Sequence, residues 1–266
     1  MQISALQLNE KQKTFFEDEG YLVYPAFLSK DQTNKLMLEL DQNTILRASG
    51  VYSKLELFEK IGWITSLPNL ITIVSQLMED SKFALHHLHA VKQETGEKGV
   101  NWHHDYEQIP VSNHSHKMVH CFFYVNGLNG QIGDLQILPK SHKGICDYSM
   151  PKVFGDQELP GSKTFSSLSA GTLVIVHSAL WHRRRKSNLG SADYSRYFID
   201  ASYCEYGIKW PRSKRFDDYD QIAQESNFTD NGKYDYLYNK DLFFHYDDAV
   251  EFEKNNEGSY INRKEN

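Results

Sequence analysis

Cysteine is scarce in this chain of 266 residues. Cys121, Cys146 and Cys204 are three in number and show no paired spacing. That excludes a disulfide framework and a cysteine-based zinc signature, and it suits free thiols in a reducing compartment. No apolar run approaches the length needed to span a bilayer. The first residues, Met1-Gln2-Ile3-Ser4-Ala5, lack the basic stretch and apolar run of a secretory signal. A cytoplasmic protein is therefore expected. Charge of neither sign dominates: 29 Lys and Arg stand against 35 Asp and Glu, a net charge of -6. Such a balance offers no broad basic field to nucleic acid or to an acidic membrane, and neither is expected as a partner. No internal repeat is evident.

What the chain has instead is ordinary hydrophobic content, 40%, and many aromatics, with 16 Tyr and 15 Phe. Those numbers suit a β-rich core and pocket walls, and the length suits one large domain over residues 1–266. Residues 1–82 read as mostly helical. Asn9 with Gln12 starts a helix that Gly20 stops, and Tyr21 to Tyr24 make a short strand closed by Pro25. Ser29 and Gln32 form a capping box before a helix carrying Thr33, Leu36, Met37 and Leu40. A second amphipathic helix runs from about Ser66, with Leu67, Leu70, Ile71, Val74, Leu77 and Met78 on its stripe.

From residue 83 to 206 the pattern changes to short strands separated by turn residues. We expect strands at Phe83–Lys92, Val100–Tyr106, Met118–Asn126, Asp134–Leu138, Thr164–Ser167, Thr172–His177 and Tyr194–Glu205, with Ser141–Pro160 as a loop over one mouth. Regular short strands argue for a sandwich or jelly roll packed by the N-terminal helices, not a parallel α/β sheet. Residues 207–266 are acidic, Tyr-rich and Asn-rich. Phe216 to Tyr246 can wrap the core or cap the pocket, and Asn255 to Asn266 read as a frayed end.

The stretch Val100-Asn101-Trp102-His103-His104-Asp105-Tyr106 carries the chemistry. On a strand, side chains alternate faces, so His103 and Asp105 point one way and His104 the other. Imidazole and carboxylate on one face supply two thirds of the two-histidine, one-carboxylate triad of non-haem Fe(II) oxygenases. The third ligand must come from elsewhere, and Gly171 to His182 offers His177 and His182. The other histidines have blander readings: His114, His116 and His120 surround a turn entering a strand, and His87 and His89 share a strand face. The run Arg183-Arg184-Arg185 reads as a solvated loop. If it lies beside the metal, Arg184 and Arg185 would favour an anionic substrate.

In order, Glu19-Gly20-Tyr21-Leu22-Val23, Trp102-His103-His104-Asp105, Leu135 to His142, and Gly171 to His182 followed by Asn188 and Arg196 resemble the phytanoyl-CoA dioxygenase family. The resemblance covers roughly residues 8–206. It implies a double-stranded β-helix, a cupin-like jelly roll, that binds Fe(II) and uses 2-oxoglutarate and O2 to hydroxylate a small molecule, releasing succinate and CO2. It also implies His103, Asp105 and His182 as metal ligands and leaves His177 a core or outer histidine. Arg196 would grip the distal carboxylate of 2-oxoglutarate bidentately, with Ser195 and His86 as further co-substrate contacts. The gap from His182 to Arg196 is longer than the family's usual one, which keeps Arg184 and Arg185 as rival carboxylate partners. Asp105 favours oxygen transfer over halogenation, because related halogenases keep a small residue there. Two other classes accept part of this pattern: a cupin-like binding protein without turnover, and a zinc hydrolase with the same three ligands.

Overall fold

A computed structural model of the chain describes residues 6–42, 55–79, 82–94, 96, 98–106, 116–144, 150–188, 195–205, 221–222, 225 and 232–238. Cys146, His114 and the segment 255–266 lie outside them, as does most of the expected wrap at 216–246.

The helices start and stop where local chemistry dictates. Helix α1, Glu10–Glu19, has Asn9 accepting from the Gln12 amide while the Gln12 side chain accepts from the Asn9 amide. It ends at Gly20, whose φ of 83° is left-handed. A Cβ there would meet His142 Nδ1 at 2.5 Å, so glycine is required on two counts. Helix α2, Lys30–Gln42, opens on the reciprocal Ser29 and Gln32 bonds, 3.2 and 2.8 Å, and buries Thr33, Leu36 and Leu40. Two further helices, α3 (Leu55–Ile61) and α4 (Pro68–Leu77), flank a 3-10 turn at Gly62–Ser66. Sequence periodicity gave no sign of α3.

Nine strands follow or interleave: β1 (Tyr21–Tyr24), β2 (Phe83–Gln93), β3 (Val100–His103), β4 (Met118–Tyr124), β5 (Leu135–Ile137), β6 (Lys163–Phe165), β7 (Thr172–His177), β8 (His182–Arg184) and β9 (Arg196–Glu205). They form two sheets, ordered β1-β7-β4-β9-β2 and β3-β8-β5-β6, antiparallel throughout. This is the mainly β, jelly-roll architecture with flanking helices. β1 belongs to the larger sheet, so the helical N-terminal part and the β core share an element. Short helix α5, Met150–Phe154, lies within the expected 141–160 loop.

Alternation along the strands sorts the larger sheet's residues into two cores. Cys121, Phe123, Leu173, Ile175, Ile199 and Ala201 face the helices and pack with Phe16, Leu36, Leu40 and Leu70. Phe122, Tyr124, Val174 and Val176 face the smaller sheet and meet Leu135, Ile137 and Phe165. Part of the tail reaches the helical layer: the Tyr238 ring lies 5.8 Å from Phe58, and its hydroxyl hydrogen-bonds that of Thr65.

Two sequence expectations change. β3 ends at His103, so His104 and Asp105 lie in the segment that leaves the strand. Arg183 and Arg184 are in strand β8 and not in a solvated loop. Arg183 is buried on the outer face of the smaller sheet. Its Nε donates to Gln136 Oε1 at 2.5 Å, Nη2 to Glu158 Oε1 at 3.0 Å, and its guanidinium lies 5.4 Å from the Trp102 ring. Trp102 in turn donates Nε1–H to Gln157 O at 2.7 Å and its amide to Gly155 O at 3.0 Å. Residues 155–158 therefore cover the back of the smaller sheet, where a loop over a mouth was expected.

Trp102 and Arg183 each precede or follow a metal-ligand candidate by one position, with the side chain on the opposite face. Trp102→Ala would open a cavity behind β3, and such truncations cost about 3–5 kcal/mol. Denaturant unfolding should show a loss of this size, with weaker metal binding alongside it. An unchanged midpoint would mean that the strap at 155–158 does not hold β3.

Candidate metal centre

His103 and His182 are register partners across β3 and β8, so their rings rise from the same face into the space between the sheets. Their centroids are 4.3 Å apart. Asp105 returns from the end of β3 because its amide donates to Ser178 O at 2.8 Å, which ties the segment leaving β3 to the turn after β7. That bond brings the carboxylate to the imidazoles without a strand: Asp105 Oδ2 lies 3.1 Å from His182 Nε2, and Oδ1 lies 3.8 Å from His103 Nε2. The three ligand atoms all lie within 4.8 Å of one another.

Both rings are set by the same local device. His103 Nδ1 is 2.7 Å from Asn101 O, and His182 Nδ1 is 2.9 Å from Leu180 O. A carbonyl only accepts, so Nδ1 carries the proton in each ring and Nε2 presents its lone pair to the centre. This is how outer partners fix the tautomer of metal-bound histidines. Burial pushes the Asp105 carboxyl up, but His182 and His103 outweigh it and hold the group well below the usual carboxylate range. An ionised oxygen and two imidazole nitrogens on one side of an open space suit a divalent transition metal with free positions. His177 is elsewhere: its Nδ1 accepts from the Ala179 amide at 3.1 Å, and its ring packs beside Phe16 and His142.

Arg196 begins β9 on the interior face. It is buried, donates from Nη1 to Gln93 Oε1, and lies 4.5 Å over Phe198 and 5.3 Å over Tyr124. Phe198 contacts Phe122, whose ring is 5.3 Å from His182, so one aromatic row joins the guanidinium to the metal ligands. Ser195 sits at the rim, where its hydroxyl donates to Glu94 Oε2 at 2.8 Å. Arg184 lies on the same face of β8 as His182 and donates to Lys98 O at 2.6 Å, while Arg185 Nε is 3.5 Å from Glu158.

His86 lies on β2, in the larger sheet. A bulge between Leu85 and His87 turns His86 and His87 together, with Nδ1 atoms 2.9 Å apart, and both reach Ser202 Oγ at 3.2 and 3.1 Å. With His120 and Asp200 they build a second polar cluster that sequence reasoning passed over. One signal was present: an aspartate in the middle of the apolar run from Phe198 to Tyr203 must find partners if it is buried.

The phytanoyl-CoA dioxygenase (PhyH) family model matches residues 65–187, a span that contains all three convergent ligands. Over this stretch the chain is similar to the phytanoyl-CoA dioxygenase family. Arg196 lies beyond the end of the PhyH match. No curated protein matches the chain by sequence. Among solved structures, the chain is similar to HygX from Streptomyces hygroscopicus with nickel and 2-oxoglutarate bound: TM-score 0.62, 13% identity, 78% of this chain and 91% of that one. It is similar to EctD from S. alaskensis with 2-oxoglutarate and 5-hydroxyectoine, at TM-score 0.60 and 13% identity over 79% and 80% of the two chains. The non-heme alpha ketoglutarate dependent epimerase SnoN from nogalamycin biosynthesis gives 0.60 and 19% over 76% and 82%. At these identities the likeness establishes a shared fold. Among the described residues, no helix is long and apolar enough to cross a membrane.

Proposed function

We propose that the protein is an Fe(II)- and 2-oxoglutarate-dependent oxygenase that hydroxylates an unactivated carbon of a small molecule, with O2 as the second co-substrate. The observation that carries this reading is the convergence of His103, Asp105 and His182 with both Nε2 lone pairs already turned inward. The PhyH match supports it, as do neighbours solved with iron, or with nickel and 2-oxoglutarate.

In this reading His103, Asp105 and His182 hold the iron, which supplies the oxidative chemistry when bound. The remaining work belongs to the chain. Arg196 receives the distal carboxylate of 2-oxoglutarate, its planar fork stacked on Phe198 so that it points one way. Phe122, Phe198 and Tyr124 keep water from the row between guanidinium and metal. His86 contributes through His87 and Ser202, and Ser195 marks the rim. Arg184 is the candidate contact for an anionic substrate group, since Arg185 is beside Glu158.

Anaerobic titration of apo-protein with Fe(II) and then 2-oxoglutarate tests the reading directly. A weak visible charge-transfer band should appear only with both present, and O2 should then yield succinate. Folded, metal-loaded protein without the band would overturn it. Activity with zinc and without 2-oxoglutarate would favour a hydrolase.

A further inference from the structure

Facing the metal centre, the larger sheet presents His87 on β2, His120 on β4 and Asp200 on β9, which are 4%, 1% and 5% exposed. Both rings bind one carboxylate oxygen: His120 Nδ1 is 2.8 Å and His87 Nε2 is 3.2 Å from Asp200 Oδ2. An ionised carboxylate only accepts, so each ring donates there. Oδ1 of Asp200 is also buried, and no donor reaches it among the described residues. Burial raises the Asp200 carboxyl, but His120 and His87 together pull it far below the ordinary range, so the group is charged. A charged, buried oxygen with no donor is costly to keep, and it calls for a ligand that brings one.

Position says which ligand. Asp200 is the register partner of Phe122, whose ring touches His182. His120 contributes to the field at Asp105. Arg196 shares Asp200's face of β9 but lies four residues away, roughly 13 Å at strand spacing. The co-substrate anchor and the second cluster therefore stand at different points of one interior, with the metal ligands beside the cluster.

We infer that Asp200, held by His87 and His120, anchors a protonated amine of the substrate, so that the substrate is an amine-bearing small molecule. The inference rests on the oxygenase reading for the role of the neighbouring metal. A primary ammonium needs only the open Oδ1 and brings the N–H donor that this oxygen lacks. A second metal ion at the same three residues fits less well. Both rings would have to give up the N–H bonds that hold Asp200, and a closed site would supply three protein ligands where structural zinc takes four.

The test uses full-length protein, apo and loaded with diamagnetic Zn(II), titrated with propylammonium, propan-1-ol and propionate while the imidazole 15N signals of His87 and His120 are followed. Propylammonium should shift both signals saturably, with the other probes at least tenfold weaker. Asp200→Asn should weaken ammonium binding tenfold or more, and Asp105→Asn should leave it intact. Equal response to all three probes, or none, overturns the inference. So does a second zinc per chain that Asp200→Asn removes and Asp105→Asn keeps. If Asp200→Asn does not fold, the three-probe comparison in wild-type protein decides alone. Failure of the oxygenase reading would show separately, as absent 2-oxoglutarate binding, because the ammonium arm is also read in apo-protein.

Discussion

Asp105→Ala should leave a folded protein that no longer retains iron and no longer converts 2-oxoglutarate to succinate. The carboxylate is the one anionic ligand of the centre, lying between His182 and His103 at 3.1 and 3.8 Å. Without it, two neutral imidazoles remain, one ligand short of the two-histidine, one-carboxylate triad and with no charge to balance the divalent ion. Loss of an outer partner of a metal ligand typically costs about 10–100-fold in affinity or activity, and loss of the ligand itself should exceed that range. Asp105→Asn keeps the shape but not the charge, so it should resemble alanine in iron content. The backbone bond from Asp105 to Ser178 survives both changes, which is why the fold should too. Iron content by mass spectrometry, with succinate measured in the same samples, checks the expectation. Wild-type iron content in Asp105→Ala would remove this carboxylate from the centre and move attention to Asp200 and its two histidines, the other such group among the described residues.

That two groups of the same composition coexist bears on how much of the site can be read from sequence. Local chemistry was legible. Asn9 with Gln12 and Ser29 with Gln32 are reciprocal pairs three residues apart, and Gly20 sits where only a left-handed residue can end the helix. The strands of the larger sheet are legible because one row faces helices and the other faces a second sheet. The smaller sheet was harder. β8 reads His182-Arg183-Arg184, and its polarity hides a buried strand whose arginine is neutralised by Glu158 and stacked on Trp102. Asp105 was found by alternation along a strand that ends before it, so the convergence has a different cause, the tie to Ser178. The His87, His120 and Asp200 cluster joins three strands that are far apart in the chain. No spacing within a single segment could announce it.

Arg196 offers the second large effect, and it separates co-substrate binding from metal binding. Arg196→Ala should raise the apparent KM for 2-oxoglutarate by roughly 30-fold to several thousand-fold, because truncating one partner of a buried charged hydrogen bond costs about 2–5 kcal/mol. Iron content should not change, since no metal ligand touches this end of the row. Arg196→Lys should fall between the two: the charge stays, but the fork and its stacking over Phe198 at 4.5 Å and Tyr124 at 5.3 Å are lost. The change should appear in KM before kcat, as expected when an interaction is equally strong in ground and transition states. Gln93→Ala, which removes the acceptor that aims Nη1, should give a smaller shift in the same direction. Arg184 provides the internal comparison, because it lies on the interior face of β8 and its Nη2 is already committed to Lys98 O. If Arg184→Ala raises the KM for 2-oxoglutarate and Arg196→Ala does not, the clamp belongs to β8, two residues beyond His182, and Arg196 serves only to close the end of the aromatic row.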